Sequence, residues 1–171
     1  MGRDMEITIR QASPEDYDAL CTIIDEVDTL HRDRMPHIFQ KPPGPVRDRE
    51  YILGLLADES VGLFVAQVEG QVAGFVHALV HDTPPWPVLV PRRRAFVDSV
   101  AVGQEFRRHG IGRALMHRAH VWATAKGAAE VELNVFEFNQ PALAFYQALG
   151  YETSTRRMVR NLYDTDHADW R

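Results

Sequence analysis

The sequence has a single cysteine, Cys21, among 171 residues. One cysteine excludes a disulfide within the chain and a cysteine-based zinc cluster. Long hydrophobic runs are also missing, since no apolar stretch approaches the roughly 20 residues that a membrane-spanning helix needs. The N-terminal stretch has no hydrophobic segment of the signal-peptide type. We therefore expect a soluble, cytoplasmic protein without a membrane partner.

A strong excess of charge of one sign is absent as well. The 19 Lys and Arg residues against 24 Asp and Glu residues give a formal net charge of −5. Nucleic-acid-binding domains usually carry a basic patch or stripe, so this balance argues against a nucleic-acid partner. The chain is 45% hydrophobic and 25% charged, which is typical of a globular protein. Its length and the lack of a linker or repeat predict one domain over residues 1–171, with its core at about 6–163.

The hydrophobic pattern predicts a mixed α/β sheet of six to seven strands. Alternating or apolar runs predict strands at 7–9, 62–68, 72–80, 95–102 and 131–136, with one or two more within 152–162. Residues at helical spacing predict helices that begin near 13 and 46, after the loop at 107–110, and at 139–141. Gly127 and Gly150 are natural ends for the last two of these helices. The third helix should bury one stripe, formed by Ile111, Leu115, Ala119 and Trp122.

The loop before the third helix has the composition of an anion-binding site. Basic residues precede two glycines at a helix start, where unpaired N–H groups and the positive end of the helix dipole favour anions. The Walker pattern needs Gly-Lys-Ser/Thr, whereas Arg113 and Ala114 follow Gly112. The dinucleotide fingerprint needs a third glycine, and Leu115 takes its place. Neither nucleotide motif therefore fits.

The same loop resembles the acetyl-CoA signature of the GNAT superfamily of N-acetyltransferases, Gln/Arg-x-x-Gly-x-Gly/Ala, which residues 107–112 match. A second segment, residues 139–151, resembles the family pattern Asn-x-x-Ala-x-x-x-Tyr-x-x-x-Gly-Phe/Tyr. The order of elements agrees from Ile7 to Leu162. The resemblance implies an α/β (α+β) fold with a mostly antiparallel sheet, helices on both faces and a V-shaped opening between the fourth and fifth strands.

The resemblance also implies acetyl-CoA as cosubstrate, without a metal. The pantetheine arm would pair with backbone groups around Val100 and Val102, and the Val100 N–H would donate to the acetyl carbonyl as negative charge develops there. Asn139 would contact the pantetheine or cap its helix, beside Ala142 and Tyr146 of the second signature. The pyrophosphate would be held by the loop residues Arg107, Arg108, His109, Gly110, Ile111, Gly112 and Arg113.

Two catalytic roles can be placed, the acid from the resemblance and the base from the position of a residue in its strand. Tyr146 occupies the position of the family's general acid, and a phenol of pKa about 10 can protonate a departing thiolate at pH 7. Our candidate for the base is Asp98, because strand alternation puts it on the same face as Val100 unless a bulge breaks the parity. Glu132 and His77 are weaker candidates for the base.

The expected function is transfer of an acetyl group from acetyl-CoA to a primary amine of a small molecule or peptide, by direct attack in a ternary complex. The alternative is a non-catalytic CoA-binding or regulatory module on the same fold. Homodimers are common in this family, and a homodimer is expected. The fold serves many acceptors, and the acceptor region at about 27–40 and 153–157 forms no motif that identifies the amine.

Overall fold

The computed structural model of the chain describes residues 6–162. The chain divides into two compact units, Met1–Phe138 and Asn139–Arg171. Residues 1–5 and 163–171, which the predicted single domain includes, lie outside the described residues. The single domain stays a prediction. Within residues 6–162, none of the helices has the length and apolar character needed to cross a membrane.

A five-stranded mixed sheet forms the first unit, with its strands in chain order. The first four strands pair antiparallel, and the fifth pairs parallel with the fourth. This architecture confirms the predicted fold class. The strands are β1 (Ile7–Gln11), β2 (Val61–Val68), β3 (Gln71–Asp82), β4 (Arg93–Val102) and β5 (Val131–Leu133).

Helices cover both faces of this sheet. Apolar residues of α1 and α2 share one buried cluster with Leu63, Val65 and Phe75 of the strands. Phe64 alternates to the opposite face, where its ring centroid lies 6.4 Å from that of Trp122 on α3. The whole predicted stripe of α3 is buried, as expected. The helices are α1 (Tyr17–Arg34), α2 (Arg49–Ala57) and α3 (Ile111–Ala125) in the first unit, and α4 (Gln140–Ala148) in the second.

The predicted number of strands is wrong. Residues 152–162 form no strand, and their side chains are exposed, Met158 to 87% and Val159 to 85%. An alternating pattern makes a strand only where a neighbouring strand supplies hydrogen-bond partners, and this segment has none of the ladder bonds that define one. The fifth strand is also shorter than predicted, because its pairing with β4 stops at Leu133.

A partly buried ion pair joins β1 to the start of α1, with the Asp16 side chain 6% exposed and that of Arg10 33% exposed. Both guanidinium nitrogens of Arg10 donate to the carboxylate of Asp16, each at 2.7 Å. Asp16 also accepts the backbone N–H of Ser13 at 2.8 Å, which completes a capping box. The hydrogen bond from Arg10 holds the pKa of Asp16 below its ordinary value.

Candidate active site

The fourth and fifth strands separate part-way along their length. They pair from Ala95↔Val131 to Val97↔Leu133 and no further. On its other edge, β4 continues to pair with β3 as far as Gly74↔Val102. An opening is therefore left between residues 98–102 and the segment that follows Leu133, as the V-shaped splay requires.

The backbone N–H and C=O groups of two β4 residues point toward this opening. The Gly103 N–H donates to the Ala73 carbonyl of β3 at 2.9 Å. Residues of an antiparallel strand bond to a given neighbour alternately, so the N–H and C=O groups of Val100 and Val102 point away from β3. In agreement, the Val102 carbonyl accepts a hydrogen bond from Arg107 Nε at 3.0 Å. The Val100 N–H is thus directed to the side on which β5 has left the sheet.

A β-bulge sits at Asp98. Adjacent β3 residues pair with Val97 and Ser99, so Asp98 is the extra residue of β4. The bulge breaks the alternation, and the expectation that Asp98 shares a face with Val100 is wrong. Asp98 and Ser99 both line a small cavity beneath α1 and α2. The side chain of Val100, one residue after Ser99, alternates to the face that α3 covers. A bulge beside a site commonly redirects a side chain in this way.

The bulge places the Asp98 carboxylate beside a buried histidine. His77 Nδ1 lies 3.2 Å from Asp98 Oδ2, and the His77 side chain is 8% exposed against 50% for Asp98. His77 Nε2 is buried without a hydrogen-bond partner among the described residues. A proton on Nε2 would be an unsatisfied buried donor, so the geometry favours the tautomer in which Nδ1–H donates to Asp98.

The Asp98 carboxylate combines a lowered pKa with a side chain that is half exposed. The hydrogen bond from His77, and to a smaller extent the charge of Arg47, hold its pKa below the ordinary value. It is therefore ionised at neutral pH, while its exposed half can meet solvent or a substrate. Of the weaker candidates, Glu132 is occupied by an ion pair with Arg94. His77 is buried against Asp98 itself.

The loop before α3 combines unusual backbone angles with free cations. Gly110 has φ +81 and is the N-cap of α3, and Arg108 has φ +70, which is rare for a residue with a side chain. A Cβ added at Gly110 would meet no atom within 4 Å, so the space beside the helix start is open. Within residues 6–162 no ion pair holds Arg108 or Arg113, and both are exposed.

Other residues of this loop are engaged within the protein. Arg107 lies 3.6 Å from the carboxylate of Glu26 on α1, in addition to its bond to β4. Glu26 also accepts the Gln104 N–H at 2.9 Å. His109 Nδ1 lies 3.3 Å from the Phe106 carbonyl.

Ile111 is 1% exposed and packs in the first turn of α3, and Gly112 follows it within the helix. The cations available for a phosphate are thus Arg108 and Arg113 rather than Arg107.

The second unit holds the second signature. Asn139 Oδ1 accepts the Ala142 N–H at 3.3 Å, so of its two expected roles the structure shows the helix cap. The ring of Tyr146 packs on Phe145 and Tyr151, with centroids 5.3 Å and 5.8 Å away. Burial raises the pKa of the Tyr146 phenol and raises that of Tyr151 to about 12. Both phenols therefore remain protonated at neutral pH.

Sequence reasoning missed two features around the opening. Arg47 lines the same cavity as Asp98 although the two are far apart in the chain. Four rings also cluster, with neighbouring centroids 5.3–6.0 Å apart, and half of them come from the segment just after β5. A loop residue such as Arg47, Phe39 or Phe136, or a helical His31, carries no local signal of such contacts. The rings belong to His31, Phe39, Phe136 and Phe138.

Comparison with known proteins places this geometry in a family. The family model described as "Acetyltransferase (GNAT) family" matches residues 24–151. An N-alpha-acetyltransferase of Sulfurisphaera tokodaii is 31% identical over 113 residues, which are 63% of this chain and 65% of that protein. The chain spans between 37% and 65% of the length of the curated relatives it matches.

Solved structures share the fold. A mutant of the BH1408 protein from Bacillus halodurans superimposes with a TM-score of 0.87 at 24% identity, over 91% of this chain and 99% of that one. An aminoglycoside N-acetyltransferase in complex with CoA superimposes with a TM-score of 0.67 at 20% identity, over 94% and 97% of the two chains. At these identities the likeness concerns the fold alone.

Proposed function

The chain belongs to the GNAT acetyltransferase family, and from that premise we propose that it transfers an acetyl group from acetyl-CoA to a primary amine. The observation that carries the proposal is the pairing of two features of the first unit. A glycine-capped helix start with two unpaired arginines lies directly after a strand whose outer edge is open. The first feature suits a pyrophosphate, and the second suits an extended pantetheine arm.

Two of the known proteins support this ligand. The aminoglycoside N-acetyltransferase of the same fold was solved with CoA, and the archaeal relative is an N-alpha-acetyltransferase. The residues present fit acetyl-CoA, because the space beside Gly110 is open and the Val100 N–H points away from β3. Acetyl-CoA, when bound, supplies the activated acetyl group. The protein's residues bind it, orient it and move protons.

Attack on the acetyl group requires a neutral amine. An alkylamine of pKa about 10.4 is only about 0.04% neutral at pH 7, which corresponds to roughly 4–5 kcal/mol. In our proposal the Asp98 carboxylate, held by His77, accepts the amine proton through a water. The Val100 N–H stabilises the negative charge that develops on the acetyl oxygen.

Collapse of the intermediate expels a thiolate that needs a proton. We assign this proton to the Tyr146 phenol, on the match of its motif. The assignment is supported by burial, which raises the Tyr146 pKa and keeps the phenol protonated. A non-catalytic CoA-binding module with the same motif would not need a hydroxyl at this position.

The proposal is tested by thiol release from acetyl-CoA with a panel of primary amines, together with the mass of each product. Tyr146→Phe removes only the hydroxyl, so we expect turnover to fall by about 10²–10⁴ while acetyl-CoA binding persists. Tyr151→Phe is the matched control, because Tyr151 is the neighbouring, partly buried phenol, and it should keep near-normal turnover.

Two outcomes would contradict the proposal. Acetyl-CoA binding without thiol release for any amine would favour the non-catalytic module. Full activity of a well-folded Tyr146→Phe variant would mean that another group or solvent protonates the thiolate. The homodimer and the cytoplasmic location remain expectations, for which sedimentation and cell fractionation are the tests.

A further inference from the structure

The small cavity beside the bulge has an apolar floor and a charged rim. Its volume is about 40 Å³, and it lies between the α1 and α2 helices and the face of β3 and β4. Residues of the shared core, among them Leu20, Ile52 and Phe75, form the floor. The polar side chains that line it are Arg47, Tyr51, His77, Asp98 and Ser99.

The size of the cavity limits what can enter it. One water needs about 10–15 Å³ of such a cavity, and an ammonium group is of similar size. A cavity of about 40 Å³ therefore accepts the amine head group of an acceptor, with room for about two waters, rather than a whole molecule. The rest of the acceptor must lie at the rim, where the side chains of Asp98 and Arg47 are 50% and 41% exposed.

The rim carries opposite charges that are not joined to each other. Arg47 donates through Nη1 to Asp28 at 3.2 Å and to the Val46 carbonyl at 2.6 Å. Its charge lowers the pKa of Asp98, yet no ion pair within 4.0 Å links the two among the ion pairs of residues 6–162. The Nε and Nη2 groups of Arg47 make no hydrogen bond to the described residues. They form one edge of the planar fork that binds a carboxylate in bidentate fashion.

We propose that the acceptor is a small zwitterion, with a primary amine that binds at Asp98 and a carboxylate that binds at Arg47. The assignment rests on the proposed acetyl transfer. A purely cationic acceptor would be attracted by Asp98 but repelled by Arg47, whereas a molecule with both charges a few ångströms apart is attracted by both. Amino acids have this arrangement of groups.

The bonds and protons of the acetyl transfer balance with this acceptor. The ammonium proton passes through water to Asp98, the neutral nitrogen attacks the acetyl carbon, and a C–N bond forms as the C–S bond breaks. The Tyr146 proton goes to the departing sulfur, and the nitrogen loses its second proton to solvent as the amide forms. Exchange with solvent then returns a proton to Tyr146 and removes the proton from Asp98. The product is an amide with a net negative charge, which the Asp98 carboxylate no longer attracts, so product release is favoured.

The test compares three acceptors that share one side chain: an amino acid, its methyl ester and its decarboxylated amine. We expect the wild-type protein to prefer the amino acid in kcat/KM by about tenfold to a hundredfold, the usual value of hydrogen bonds to a charged group. Arg47→Gln should remove this preference through a higher KM for the amino acid, whereas the decarboxylated amine should be used as well as before or better, because the repulsion by Arg47 is gone.

Two control variants test whether the preference depends on the Arg47 guanidinium itself or on the residues around it. Arg49→Gln removes a neighbouring arginine that stacks on Tyr17, 5.1 Å from the ring centroid, and should keep the preference. Asp28→Asn removes the ion-pair partner of Arg47 but not the guanidinium, and should keep it too. A thermal melt of each variant checks the fold.

Each unfavourable outcome has a distinct meaning. Equal use of all three acceptors by the wild-type protein would overturn the zwitterion while the acetyl transfer stands. An equal loss for all three in a folded Arg47→Gln variant would also overturn it, because the arginine would then serve the structure of the site. No thiol release with any acceptor would overturn this inference and the proposed function together.

Discussion

At the scale of single residues, the bulge at Asp98 decides on which face of the sheet this carboxylate lies. The extra residue turns its side chain to the face covered by α1 and α2, where His77 donates to it from 3.2 Å. A neighbour that lowers the pKa of a carboxylate keeps it charged but also makes it a weaker base. A water-mediated role with a partly exposed carboxylate fits that balance.

We predict that Asp98→Asn lowers turnover most near neutral pH and recovers in part at high pH, where free amine is plentiful. The measurement is a pH–rate profile with saturating acetyl-CoA. Glu132→Gln is the control, because that carboxylate was the weaker candidate and is paired with Arg94. A profile of unchanged shape in Asp98→Asn would remove Asp98 as the base, and a larger loss in Glu132→Gln would transfer the role.

At the scale of elements, α3 begins and ends at glycines in the same backbone conformation. Gly110 has φ +81 before the first turn and Gly127 has φ +79 after the last, and an added Cβ meets nothing within 4 Å at either. A side chain at each position therefore costs a similar conformational strain of about 1–2 kcal/mol. Only the first position lies where a phosphate is expected.

This pair gives a controlled test of the loop. Gly110→Ala should weaken CoA binding about tenfold or more, because the methyl group keeps the phosphate from N–H groups that each contribute roughly 0.3–1 kcal/mol. Gly127→Ala should lose similar stability and retain affinity. Calorimetric titration with CoA measures both. Equal affinities in the two variants would show that the phosphate binds elsewhere.

The ion pair between β1 and the start of α1 is a second element-scale feature. Asp16→Asn should lower the free energy of unfolding by about 1.5–3 kcal/mol near pH 7, since it removes charge-assisted hydrogen bonds to Arg10. The pKa of Asp16 is lowered in the folded state, so this contribution is complete above the ordinary Asp pKa of about 3.9 and is lost as pH falls through the lowered value.

Denaturant unfolding at several pH values measures the effect. The difference between wild-type and variant should shrink as the solution is acidified below about pH 4. Asp82→Asn is the control, because its ion pair with Arg93 is exposed and should contribute little. A constant difference down to the lowest accessible pH would mean that packing, not charge, holds Asp16.

At the scale of the whole molecule, binding and stability are linked. A ligand that binds only the folded chain stabilises it by about 2.7 kcal/mol at one hundred times its Kd. For a chain of this length we expect the Tm to rise by about 5–10 °C with acetyl-CoA. Thermal unfolding at stepped ligand concentrations measures this shift, and the Gly110→Ala variant should need higher concentrations for the same rise. An unchanged Tm at every concentration would contradict binding to the fold.

The sequence alone determined the features that depend on neighbours along the chain. Periodicity located the stripe of α3, and glycines marked the helix ends at Gly110, Gly127 and Gly150, because helical spacing and positive φ are local properties. Two short motifs, each continuous in sequence, were enough to indicate the family. Asp98 could be named as a candidate for the same reason, as it lies two residues before Val100.

Only the tertiary structure decided what depends on partners distant in sequence. It showed that residues 152–162 lack a strand partner, that β5 ends at Leu133, and that a bulge separates Asp98 from the face of Val100. It also brought Arg47 to the cavity of Asp98, across 51 positions of the chain. Strand pairing, bulges and charge pairs depend on which segments meet in space. The alternation of residues within one segment does not show which other segment it will meet.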